Sequence, residues 1–119
     1  MTPSDVRSLI AICGFSNREA AEALGAADDR IIRRYKSGDE TPPPAVEQKL
    51  IEIAAQALAA QMMRAVNLAA GGQVDFARLH IRENQISVDT HLSAPVADRV
   101  RKAVLAELAK TGLTIERVN

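Results

Sequence analysis

Ser16 to Gly38 reads SNREAAEALGAADDRIIRRYKSG, and the fold turns on how that stretch is parsed. Ser16 precedes Glu19 at the spacing of a capping box, in which hydroxyl and carboxylate cap a helix start reciprocally. Ala20, Ala21, Ala23 and Leu24 then follow before Gly25, so the spacing predicts a short helix with a tight exit. Asp28 or Asp29 can cap the next helix, which carries Arg30, Ile31, Ile32, Arg33, Arg34, Tyr35 and Lys36 and stops at Ser37 and Gly38. Two short helices around a glycine turn need a small residue at their crossing, positive φ in the turn and branched apolar anchors on the second helix. Ala21, Gly25, Ile32 and Tyr35 supply these parts of a helix-turn-helix.

Upstream, Ser4 to Cys13 puts Val6, Leu9, Ile10 and Cys13 on one helical face, with Gly14 as the stop. Downstream, Thr41, Pro42, Pro43 and Pro44 form a stiff connector whose last proline suits a first helical turn. From Ala45 the apolar spacing of Val46, Leu50, Ile53, Ala54, Ala57, Leu58, Met62 and Val66 predicts a helix to about Ala70, broken by Gly71 and Gly72. So long an Ala-rich stripe needs cover, from a partner chain or from the C-terminal residues, and a homodimer is expected on that ground. Past the glycines the period changes. Ala77, Leu79 and Ile81 alternate with Arg78, His80 and Arg82; Glu83, Asn84 and Gln85 turn; Ile86, Val88 and Thr90 alternate with Ser87, Asp89 and His91. Pro95 then opens a helix with Val96, Val100, Val104 and Leu108 on one face, Gly112 stops it, and Leu113 with Ile115 suggests a last strand. The expected architecture is a mainly α helix-turn-helix domain with a long connecting helix, residues 1–70, joined to a small α+β (strand-strand-helix-strand) dimerisation module, residues 73–119.

Composition narrows function. With 119 residues there is room for a compact domain or two small modules, and not for a large enzyme with a deep cleft. Aromatics are 3% of the chain with no Trp, against base-stacking recognition of single strands. Net charge is zero, so any affinity for phosphate must come from a local patch. The single Cys13 rules out an intramolecular disulfide, reads as a structural thiol, and with His80 and His91 leaves no zinc-site spacing. No metal, cofactor, catalytic residue or small-molecule substrate is expected. No apolar run reaches membrane-spanning length and no signal segment opens the chain, so a cytoplasmic protein without membrane contact is expected.

With Ile32 and Tyr35 inward, Asp28, Asp29, Arg30, Arg33 and Arg34 lie toward the outside of the second helix of the motif, where side chains can enter a major groove. Arginine can pair bidentately with guanine and aspartate can accept from cytosine, so these are the expected base-contacting residues. Arg18 and Lys36 suit the DNA backbone. The bland reading is a solvated face in which the arginines pair with Asp28 and Asp29, and it would prevail without the surrounding motif.

The stretch from Ser4 to Ala70, with SNREAAEALGAADDRIIRRYKSG and PPPAVEQKLIEIA, resembles the Cro/CI-like (Xre) helix-turn-helix regulators. Within that group it looks most like the anti-CRISPR-associated autorepressors of phages and mobile elements, on the REAAEALG segment, the aromatic before the Ser-Gly helix end and the proline followed by VEQ. The resemblance implies a homodimeric repressor that binds an inverted repeat of double-stranded DNA in its own promoter and acts by occluding polymerase. Two other readings stand beside it. One is an antitoxin whose C-terminal module grips a protein partner; the other, ranked last, is an enzyme or RNA-binding module using Arg78, His80, Arg82 and His91.

Overall fold

A computed structural model describes residues 1–69, 80–82, 91–110 and 114–116 of the chain. In chain order the elements are α1 (Pro3–Cys13), α2 (Asn17–Leu24), α3 (Arg30–Ser37), α4 (Pro44–Ala69), β1 (His80–Arg82), α5 (Ala94–Ala109) and β2 (Thr114–Glu116).

Each helix of the N-terminal half is bounded by specific backbone chemistry. The Thr2 hydroxyl accepts the Asp5 N–H at 3.1 Å while the Asp5 carboxylate accepts the Thr2 N–H at 2.9 Å, a capping box that starts α1 ahead of the expected Ser4, with Pro3 in its first turn. Ser16 and Glu19 form the reciprocal cap expected for α2, at 3.1 and 3.2 Å. Hydrogen bonding from the Ser16 backbone N–H, and then from its side chain, favours the charged carboxylate and holds the Glu19 pKa below its ordinary value. At the start of α3 the two candidate caps divide: Asp29 occupies the N-cap without a side-chain bond, and Asp28 accepts the Arg30 N–H at 2.8 Å. Gly25 ends α2 with φ of 70° and Gly38 ends α3 with φ of 87°, both in the left-handed region.

One hydrophobic cluster joins α1, α2, α3, α4 and α5. Val6, Leu9 and Ile10 of α1, Ala20, Ala21 and Leu24 of α2, and Ile32 and Tyr35 of α3 meet Leu50, Ile51, Ala54, Ala55 and Ala59 of α4. From the C-terminal side Leu92, Val96, Val100, Val104, Leu105 and Leu108 complete it. Alanines at 54, 55 and 59 leave the buried side of α4 without bulk, which lets the helices packed on it come close. Two polar links reinforce that packing. The Asp5 carboxylate accepts the Ser93 N–H at 2.7 Å and the Ser93 hydroxyl at 2.8 Å, tying the start of α1 to the N-cap of α5. Arg99 of α5 pairs with Glu47 and donates to the Gln48 side chain of α4 at 2.9 Å.

The expected α+β C-terminal module is overturned, because the described body is helical. Among the described residues, extended strands are limited to β1 and β2, three residues each, which pair in parallel with Ile81 opposite Ile115. His91, placed in a strand by its alternation, lies in the turn before α5. The turn at 83–85 and the strand at 86–90 lie outside the described residues, as do the glycines at 71, 72 and 112. The physical reason for the correction is that the apolar face of α5 needs no sheet. Its valines bury against the stripe of α4, which covers that stripe from within the chain as far as Ala59. Past it Met62 and Met63 are half-buried and Leu68 is 82% exposed. Among the described residues no helix is long and apolar enough to cross a membrane.

Candidate nucleic-acid interface

α3 is a helix divided lengthwise. Ile32 is 0% exposed and Tyr35 is buried beside it, held against α1 and α2, which leaves the other side of the helix to charged residues. Burial, with the Glu40 charge adding to it, raises the Tyr35 hydroxyl pKa, so the phenol stays neutral and serves packing. The side chains of Arg30, Arg33 and Arg34 are 83%, 66% and 61% exposed. Arg18, near the start of α2, is 87% exposed. Thus the residues singled out for base contact share the outer surface of α3 and of the turn before it.

Their electrostatics are less simple than a basic patch. Arg33 Nη2 lies 3.1 Å from Asp29 Oδ2, one helical turn back. Arg30 Nε lies 3.6 Å from Asp28 Oδ2, Arg34 Nη1 3.6 Å from Glu40 Oε1, and Arg18 Nε 3.7 Å from Glu22 Oε1. The pairs foreseen by the bland reading, arginine with Asp28 and Asp29, are therefore formed. Exposed pairs of this kind contribute about 0–1 kcal/mol each and are screened by salt, so the fold does not depend on them.

Lys36 sits differently. Its Nζ donates to the Asn17 side-chain oxygen of α2, and its backbone carbonyl accepts from Arg7 Nη1 of α1, both at 2.5 Å. Among the described residues, neither Arg7 nor Lys36 has a carboxylate within ion-pair distance, which leaves two uncompensated cations where α1, α2 and α3 meet. Arg7 and Asn17 were missed in the sequence. The only signal there was helical phase: Arg7 falls on the flank of the Val6, Leu9 and Ile10 face, and its approach to α3 depends on tertiary packing.

An open groove of about 460 Å³ runs beside the turn, floored by Leu24, Ile31 and Val46 and edged by Arg30 and Arg34. It holds no nucleophile paired with a base. Among the described residues no cluster of three or more His, Cys, Asp or Glu side chains is placed to bind a metal. Burial pushes the half-buried Cys13 thiol up to about 11, which keeps it protonated at neutral pH. Of the surface considered for an enzyme or RNA module, Arg78 lies outside the described residues, His80 and Arg82 belong to β1, and His91 is in the turn before α5. No protein-family model matches the chain, and no curated protein is significantly similar to it.

Proposed function

We propose that the chain is a sequence-specific DNA-binding repressor in which α2, the turn at 25–29 and α3 act as a helix-turn-helix. The observation that carries this reading is the lengthwise division of α3: two buried anchors fix the helix while Arg30, Arg33 and Arg34 point outward on one surface. Eight residues of helix span about 12 Å, a length that suits a major groove of about that width. In this function Arg30, Arg33 and Arg34 read base edges, and Lys36, Arg18 and Arg7 hold phosphates. The resemblance to anti-CRISPR-associated autorepressors extends the proposal to a cytoplasmic homodimer on an inverted repeat in its own promoter, with half-sites about one helical turn apart. Repression then follows from occlusion of polymerase, with no catalytic step.

The test is a fluorescence-anisotropy titration against the DNA upstream of the gene, with a scrambled duplex as control. Specific binding is expected to be about a thousandfold or more tighter than control binding at physiological salt. Arg33→Ala and Arg34→Ala should each weaken it by about 1–3 kcal/mol while melting like the parent protein. Unchanged affinity in both variants removes α3 as the reading surface.

A further inference from the structure

We propose that Asp28, Asp29 and Glu40 are specificity-determining residues, which hold the arginines of α3 in ion pairs and thereby suppress binding to DNA of arbitrary sequence. The inference rests on the DNA-binding reading above and gives the acids a role besides that of acceptors for cytosine. The motivating pattern is the contrast within one surface. Arg30, Arg33 and Arg34 each have a carboxylate within 3.6 Å, whereas among the described residues Arg7 and Lys36 meet only neutral oxygens.

A guanidinium that leaves a carboxylate for a phosphate exchanges one anion for another, so little electrostatic energy is gained. The released carboxylate is then left in the negative potential of the duplex, well within the screening length of about 10 Å. Reading a guanine requires no such release. Arginine has five N–H donors in a planar fork, and the contact with Asp29 uses only one edge of the Arg33 group. The remaining donors can meet O6 and N7 of guanine while Asp29 keeps the fork in place. A correct base is therefore bound with the pair intact, and a bare backbone only against it. Discrimination built from a repulsive element in this way also fits a chain of zero net charge.

Asp29→Asn and Asp28→Asn test the idea, since asparagine keeps the side-chain oxygen that accepts the Arg30 N–H and removes only the charge. Asp98→Asn on α5 makes the same change in net charge away from α3, in an exposed pair with Lys102. Affinity for the scrambled duplex should rise severalfold in each of the single variants Asp28→Asn and Asp29→Asn. The slope of log affinity against log salt should steepen by about one for each arginine that gains a phosphate. Affinity for the upstream DNA should stay level or fall, so the ratio of the two shrinks, and Asp98→Asn should leave that ratio unchanged. An equal rise with Asp98→Asn would assign the effect to total charge and overturn the proposal. So would an equal loss on both duplexes, which would make the acids merely structural. A parent protein that binds both duplexes alike would instead end the DNA-binding reading, and the role of the acids with it.

Discussion

α3 and α5 are both held by one face, yet they divide their surfaces in opposite proportion. α3 buries Ile32 and Tyr35 and leaves its arginines in water; α5 buries Val96, Val100, Val104, Leu105 and Leu108. At about 1.5–3 kcal/mol for each fully buried large aliphatic side chain, α5 contributes more to the core than α3 does. The outer residues of α3 are therefore tolerated by the fold and not required by it. Substitutions there can separate binding from folding, whereas substitutions on the buried face of α5 cannot.

The sharpest way to break that comparison is Ile32→Asp. The side chain has no solvent access, and an uncompensated charge there should cost about 3–5 kcal/mol, a large fraction of the stability of a domain this size. Loss of the cooperative thermal transition in circular dichroism is the expected result. A variant that melts like the parent would put Ile32 on the surface and reverse the register of α3. On α5 the matching change is Leu108→Ala, expected to cost about 2–5 kcal/mol by removing a buried side chain and leaving a cavity. A urea midpoint that barely moves would mean that α5 lies beside the core and not in it.

The two helices were legible in the sequence to different depths. For α3, the anchors, the outward arginines and the glycine stop are local features, and the spacing of Ile32 and Tyr35 settles which side faces inward. For α5, Pro95 and the recurrence of Val96, Val100, Val104 and Leu108 gave the helix and its buried face, but what covers that face is a long-range matter. Alternation from Ala77 to His91 predicts strands; of these residues the structure describes His80–Arg82, a strand paired with Thr114–Glu116, and His91, in a turn, since period-two patterning does not identify the partner strand. Nothing local marks the role of Asp5, since its partner Ser93 is 88 positions away. The contact of Arg7 with Lys36 was hidden for the same reason.

That Asp5 link supplies the next test, because it is the polar counterpart of the apolar packing of α5. Burial works to raise the Asp5 pKa, but hydrogen bonds from Ser93 and Thr2 outweigh it and hold the carboxyl below its ordinary value of 3.8. An aspartate that ionises more readily when folded adds stability above its unfolded pKa. That contribution is lost as pH falls through the lower folded value. Asp5→Asn turns an amide toward groups that are themselves donors, and should cost about 1–3 kcal/mol at neutral pH. Parent and variant stabilities should converge below about pH 3.8, measured by urea unfolding across pH. A gap that stays constant down to pH 2 would mean that the charge of Asp5 plays no part.

The smallest expected effects concern the two glycines that end α2 and α3, and they distinguish backbone strain from crowding. A Cβ added at Gly25 would meet nothing within 4 Å, so Gly25→Ala carries only the cost of a left-handed residue, about 1–2 kcal/mol. At Gly38 the same methyl would come within 3.0 Å of Pro3 Cγ, so strain and a collision with the start of α1 add together. Gly38→Ala should therefore destabilise more than Gly25→Ala, and the excess should shrink when Pro3 is also replaced by alanine. Equal losses at the two positions would show that α1 yields to the added methyl. In that case Gly38, like Gly25, is required by its backbone conformation alone.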